Sequence, residues 1–276
     1  MHYFLGLEVW QKPGEIFLSQ GKYIVNLLER CGMMDCKSVT TPMELNFKKL
    51  FGIVANLVLE NPTEYRQLVG ALMFLVNTRP DICFVVNCDA AKNLLRCLHG
   101  TINHGLRYTI GDLRLHGYTN VYWAGSVVDR KITSGCCFSL GSASISRMSR
   151  KQTFVALGTA EAKYIAASMT CCEGIWLRKL FSELFEHVLD TTIIYSNNQS
   201  GIRLSKNLVF HDRSKHIDIR YHFILDMVQW RAIRLQHIRT NEQVPDILTK
   251  PMGKAKFLAF KERLGVMDRP SHEDPN

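Results

Sequence analysis

Between residues 112 and 238 the apolar residues switch between a two-residue and a helical period, and the order of those switches constrains the fold more than any single motif. Alternating segments at Leu113–Trp123, Thr133–Leu140 and Ala143–Met148 predict three strands. Thr159 to Phe185 is the longest segment of helical period, with Ile165, Met169, Cys172, Trp176 and Leu180 forming one apolar stripe. Trp176 is therefore expected in the core. Thr191–Tyr195 predicts a fourth strand, Ser200–Ser205 a short helix, Ile217–Val228 a longer helix and Ala232–Ile238 a fifth strand. An order of β-β-β-α-β-α-α-β-α implies an α/β domain, a mixed five-stranded sheet with flanking helices.

Upstream of this domain the pattern is smaller and of α+β type. Tyr3–Trp10 alternates, Lys12-Pro13-Gly14-Glu15 supplies a turn and Ile16-Phe17-Leu18 resumes the strand, which reads as a hairpin. Tyr23, Val25, Leu27 and Leu28 fit a short helix ending near Cys31-Gly32, and Thr40-Thr41-Pro42 begins an extended connection. Pro62 opens a helix whose Tyr65, Leu68, Val69, Leu72 and Leu75 recur at three- and four-residue steps, and a second helix is predicted from about Asp81 to Leu98. Turn signals from Gly100 to Asp112 mark a boundary. The expected domains are thus residues 1–111, 112–265 and a disordered tail, 266–276, which suits 276 residues at roughly 100–200 per domain.

The balance of 34 Lys+Arg against 25 Asp+Glu gives +9, which favours polyanionic partners. Arg213, Lys215, Arg220, Arg231, Arg234 and Arg239 are candidates for a nucleic-acid groove, the alternative being a solvated face. Nine cysteines without a CxxC spacing suggest reduced, mostly buried thiols. The pairs His99/His104 and His211/His216 lack the i, i+4 spacing and third ligand of a zinc site and read as structural. With no signal-like N-terminus and no apolar run approaching the roughly 18 residues of a membrane span, an intracellular, non-membrane protein is expected.

Several blocks resemble the Pol polyprotein of Ty1/copia-type LTR retrotransposons. They are Tyr3-Phe4-Leu5-Gly6-Leu7-Glu8-Val9, Tyr65-Arg66-Gln67-Leu68-Val69-Gly70, Thr78-Arg79-Pro80-Asp81-Ile82, Asp129-Arg130-Lys131 with Thr133-Ser134-Gly135, and Lys215-His216-Ile217-Asp218-Ile219-Arg220-Tyr221-His222. Ala156-Leu157, Glu161-Ala162, Asn198-Gln199-Ser200 and Asp246-Ile247-Leu248-Thr249-Lys250-Pro251 extend the likeness over nearly the whole chain. The resemblance implies the last part of a reverse transcriptase, beginning past the polymerase's paired aspartates, followed by an RNase H-like domain. It also implies an ancestral activity, cleavage of the RNA strand of RNA–DNA hybrids with Mg²⁺. The family's longer stretch between two helical pieces is missing at Val86–Asn93, which puts the packing of those helices in question.

RNase H chemistry needs acidic groups from separate elements to hold two Mg²⁺ about 3.5–4 Å apart. Where the family reads Asp-Ala-Asp-Trp-Ala-Gly, this chain reads Asn120-Val121-Tyr122-Trp123-Ala124-Gly125, and where the family reads Glu-Ala-Glu-Tyr-Ile-Ala, it reads Glu161-Ala162-Lys163-Tyr164-Ile165-Ala166. By analogy the functional acid of the second block is at Lys163. The family's Cys-Asp-Asn-Gln-Ser becomes Ser196-Asn197-Asn198-Gln199-Ser200, and Asp246 alone is retained. Glu161 cannot stand in for the acid at 163, because residues two apart on a helix point about 200° apart. A lysine about 4 Å from a unit positive charge is repelled by roughly 4 kcal/mol at an effective dielectric near 20, and a divalent ion doubles that.

The expectation is an RNase H-like domain with degenerate ligand positions at Asn120, Lys163 and Asn197, a single metal-ligating candidate in Asp246, and no Mg²⁺ bound now. The alternatives are a retained module that grips an RNA–DNA hybrid or other nucleic acid without cutting it, or a non-functional relic. Asp to Asn at 120 and 197 and Glu to Lys at 163 are each one G-to-A step, which points to mutational decay of an inserted element. The genomic locus tests that idea: flanking repeats and upstream stop codons are expected, and their absence overturns it.

Overall fold

The computed structural model describes residues 2–43, 62–88, 91–111, 113–122, 132–152, 156, 158–186, 188–205 and 215–270. Expectations on Trp123–Lys131, Leu157, His211, Arg213 and residues 271–276 fall outside these. The chain forms two compact units, Met1–Ile110 with Pro251–Asn276, and Gly111–Lys250.

In the first unit, β1 (His2–Phe4), β2 (Leu7–Lys12) and β3 (Glu15–Ser19) form a meander, so the expected single strand over Tyr3–Trp10 is two. Leu5 and Gly6 both take positive φ, 47° and 77°, the pairing of a tight primed hairpin turn. Helix α1 (Gly21–Arg30) follows, buried through Ile24, Leu27 and Leu28. Its Lys22 amide is held by the buried Glu8 carboxylate at 2.6 Å, a negative charge placed where a helix N-terminus favours one. Helix α2 (Pro62–Leu75) has the predicted period.

The helix expected over Asp81–Leu98 is instead three pieces: a 3-10 turn at Pro80–Ile82, α3 (Cys83–Val86) and α4 (Ala91–His99). Asn87 ends α3 by turning its side-chain amide back to the Cys83 carbonyl at 2.9 Å. Helix α4 packs fully, with Leu94, Cys97 and Leu98 each at 0 % exposure. Residues 104–109, expected as turn, form strand β4 (His104–Thr109) against β3. Gly105 makes that pairing possible, since a Cβ there would sit 2.2 Å from the Leu18 carbonyl oxygen.

The second unit holds β5 (Leu115–Tyr122), β6 (Thr133–Leu140), β7 (Ala143–Lys151), α5 (Thr159–Phe185), β8 (Thr192–Ser196), α6 (Gln199–Leu204), α7 (Lys215–Gln229) and β9 (Ile233–His237). The sheet order is β7-β6-β5-β8-β9. β5, β6 and β7 pair antiparallel, whereas β8 and β9 run parallel to β5. This is the RNase H-like mixed sheet. Phe138 is its packing centre at 0 % exposure, and Gly117 and Gly174 clear space for it, since added Cβ atoms would lie 2.5 and 3.2 Å from its ring.

Trp176 is not core: it is 55 % exposed, and Cys172 is exposed as well. The buried series runs instead through Tyr164, Ala167, Cys171, Gly174 and Leu177. That stripe is one residue, about 100°, round the helix from the expected one, and its small members carry little apolar signal.

Beyond Lys250 the chain rejoins the first unit through α8 (Lys254–Arg263) and β10 (Val266–Asp268). The expected extent of 112–265 and the expected tail from 266 are corrected accordingly. β10 pairs with β4, and Phe257, Phe260, Leu264 and Val266 bury side chains that cannot remain in water cheaply. All nine cysteines are free, and five are buried.

The first unit buries a charge cluster. Arg79, fully enclosed, donates from Nε and Nη2 to Asp81 at 2.9 and 2.8 Å, and from Nη1 to Thr101 at 3.1 Å (carbonyl) and 2.9 Å (hydroxyl). Burial alone would push the Asp81 carboxyl up, but the charge and hydrogen bonds of Arg79 hold it below the usual range, with Lys261 of α8 adding to the effect. Burial also lowers Lys261, and burial with the Lys261 and Arg79 charges takes His104 down to about 4. Asp81→Asn would leave Arg79 buried without its counter-ion, a loss of about 3–5 kcal/mol. Hydrogen exchange should show β3 and β4 amides losing protection by that amount while β5 and β8 are unchanged; equal protection throughout would refute this role.

Candidate metal centre

Asn120 sits near the end of β5, on the sheet face opposite Gly117, Thr119 and Val121. Its cross-strand partner on β6 is Gly135. A Cβ at Gly135 would lie 2.6 Å from Thr249 Cγ2 and 3.1 Å from the Pro245 carbonyl oxygen, so the bare backbone lets the 244–249 segment lie directly on the sheet. That segment is a 3-10 turn, Val244–Leu248, started by Pro245 and followed by two amides, those of Thr249 and Lys250, that both donate to the Asp246 carbonyl at 3.1 Å.

The turn delivers Asp246 to Asn120. Asp246 is 0 % exposed, and Asn120 Nδ2 donates to its Oδ1 at 2.6 Å. The Lys250 ammonium meets the same oxygen at 2.8 Å, one helical turn along the chain. Lys250 also lies 5.8 Å from the centroid of the Tyr122 ring, within cation–π range. A buried carboxylate is costly unless paired and hydrogen-bonded, and this one is both.

Lys163 and Asn197 are placed by neighbouring elements. The first turns of α5 lie on this end of the sheet, where Ala162, Ile165 and Ala166 cluster with Val121 and Ile132. Gln152 anchors them by donating to the Ala162 carbonyl at 3.0 Å and the Ser134 hydroxyl at 2.8 Å. Lys163 projects from this turn, half-buried, as does Glu161. Asn197 follows Ser196, whose register partner on β5 is Thr119, so it ends the strand beside Asn120. Asn198, next along, accepts from the Gly201 amide at 3.2 Å and caps α6. Among the described residues, neither Lys163 nor Asn197 makes a hydrogen bond or ion pair with Asp246, and no group of three His, Cys, Asp or Glu side chains stands together as a metal site.

Lys250 is the residue that sequence reasoning passed over. Its signal was available, an Asp and a Lys at i, i+4, but the spacing matters only once the Gly135 contact brings Asp246 indoors.

The sheet order and the position of this cluster at the end of its first strand define an RNase H-like domain. Comparison with known proteins gives the wider relationship. The chain is 39 % identical over 98 % of its length to a retrovirus-related Pol polyprotein from transposon RE1 of Arabidopsis thaliana, and 38 % identical over 91 % to that from transposon TNT 1-94 of Nicotiana tabacum. It spans about a fifth of each relative, 19 % and 20 %. A crystal structure of LC11-RNase H1 with an RNA/DNA hybrid is 14 % identical, covering 49 % of this chain and 94 % of that one at a TM-score of 0.37. No family model matches the chain. The chain belongs to the family of retrovirus-related Pol polyproteins of copia-type transposons.

Lys250→Met removes the cation and leaves the buried Asp246 carboxylate its hydrogen bond from Asn120. Because Lys250 is partly exposed, the expected cost is at the low end of a broken buried pair, about 2–3 kcal/mol. Adding Asp246→Asn should recover much of it, since neither charge then remains; chemical denaturation of the three proteins checks this, and additive losses would show that the pair is uncoupled.

Proposed function

We propose that the second unit is an RNase H-like domain that no longer cleaves RNA–DNA hybrids, within a chain descended from a copia-type Pol polyprotein. The observation that carries this reading is the state of Asp246. Its Oδ1 accepts from Asn120 and from Lys250, so the one retained acid is already neutralised from within the protein.

The residues at the other three positions do not fit a pair of divalent ions. Mg²⁺ takes oxygen ligands and favours carboxylates. Asn120 directs its amide NH₂, a donor, at the shared oxygen, Asn197 brings no charge, and Lys163 brings a positive one. Two-metal hydrolysis uses the ions both to activate water and to stabilise the leaving oxygen, and no step of that kind is assigned to these side chains. Hybrid cleavage, an ancestral metal requirement and a nucleic-acid partner are inferred for this chain from its kinship with Pol polyproteins alone. Among the described residues no helix is long and apolar enough to cross a membrane.

A fluorescent RNA–DNA hybrid incubated with the full chain and Mg²⁺ or Mn²⁺ should remain uncut. Turnover that disappears in Asp246→Asn would overturn the proposal. The combined variant Asn120→Asp, Lys163→Glu and Asn197→Asp supplies the missing acids, and appearance of metal-dependent cleavage in it would identify the lost carboxylates as the cause.

A further inference from the structure

The sheet of the second unit has two unlike faces. Leu115, Phe138, Ile194, Ile233 and Leu235 form a core with residues of α5, α6 and α7 on one side. The strand register places different residues in rows on the other. Arg147, Cys137, Tyr118, Tyr195 and Gln236 are cross-strand partners in one row spanning all five strands, and His116, Ile193 and Arg234 align in the next. Tyr118 and Tyr195 stack with ring centroids 5.0 Å apart and planes 26° from parallel. His116 meets both edge-on, at 5.7 and 6.4 Å. Arg234 and Gln236 are exposed, and the rings are half-buried.

The charge on this sheet is one-sided. The five strands contain no Asp or Glu, yet they carry Arg147, Arg150, Lys151 and Arg234. Acids of this unit sit on helices instead, among them Glu161, Glu173, Glu183 and Asp226. Asp246, which the 244–249 turn lays on this face, is matched by Lys250.

We propose that this face binds single-stranded nucleic acid, with bases stacking on the Tyr118–Tyr195 pair and Arg234 and Arg147 taking adjacent phosphates. Sequence-tolerant binding of single strands combines those two elements, a positive surface along the backbone and aromatic rings against successive bases. Bases in a duplex already stack on one another, which leaves no ring face for a tyrosine, so unpaired strands are the ligand that uses both features. A rigid, pre-stacked tyrosine pair loses little freedom on binding. The inference is independent of whether the unit cuts hybrids.

The test is fluorescence anisotropy of the full chain with a labelled oligothymidylate of about 20 nucleotides and a duplex of equal length, over a range of salt. The single strand should bind more tightly than the duplex. Tyr195→Leu, which keeps an apolar side chain but removes the ring, should weaken it about tenfold. Arg234→Gln alters an exposed side chain and should fold normally; it should weaken binding and reduce the log–log salt slope by about 0.7. Absence of oligothymidylate binding, equal affinity for the duplex, or unchanged affinity in both variants would overturn the proposal. Because cleavage is read separately on a labelled hybrid, failure here is distinguishable from failure of the proposed loss of activity.

Discussion

A carboxylate enclosed by protein must be compensated in charge and in hydrogen bonding, and at Asp246 that requirement organises the second unit's candidate site. Two-metal sites in general meet it with divalent ions shared among several acids. Here the requirement is met by Lys250 at 2.8 Å and Asn120 at 2.6 Å on a single oxygen. The backbone arrangement that makes the contact possible, Gly135 under the 244–249 turn, is independent of which cation does the compensating. The geometry of this turn thus holds an internal salt bridge at Asp246.

The first unit applies the same physics to a different end. Arg79 and Asp81 compensate each other in full burial, and Thr101 takes the remaining guanidinium donors. Lys261 joins from α8, where its charge interacts with Asp81 and with the Cys97 thiol, itself pushed up to about 11 by burial. This polar cluster, the β4–β10 pairing and the buried Phe257, Phe260 and Leu264 together bind the last segment of the chain into the first sheet. Buried ion pairs contribute less net stability than apolar contacts of the same size, but removing one partner is severe. Such clusters thus tie distant segments together more than they stabilise the unit.

What could be read from the residues follows from the range of the forces involved. The strand and helix order after residue 112 was legible because alternation in Leu115–Tyr122 and the long helical period of Thr159–Phe185 are local signals. β4 was not, since His104–Thr109 is short and polar and becomes a strand only through pairing with β3 and β10. The return of α8 and β10 to the first sheet is a contact across some 160 residues, invisible to any local window. Trp176 misled because a large aromatic outweighs Ala167, Cys171 and Gly174 in any apolar pattern, although those small residues mark the face that approaches the sheet. At the candidate site the internal cation was not legible, because the importance of Lys250 depends on Asp246 being enclosed.

On the proposed reading, the substitutions also change the sign of the charge offered by the site residues. Four carboxylates would attract cations and repel a phosphate unless ions intervened. The residues now at the four positions, with Lys250, carry one negative and two positive charges: Asp246 against Lys163 and Lys250. Two asparagines add hydrogen-bonding capacity without charge. At Asp246 itself, a phosphate would meet a carboxylate already compensated by Lys250. The proposed loss of cleavage and the proposed affinity for a polyanion would then be two consequences of one change in charge, in keeping with the acid-free strands on which Asn120 and its neighbours lie.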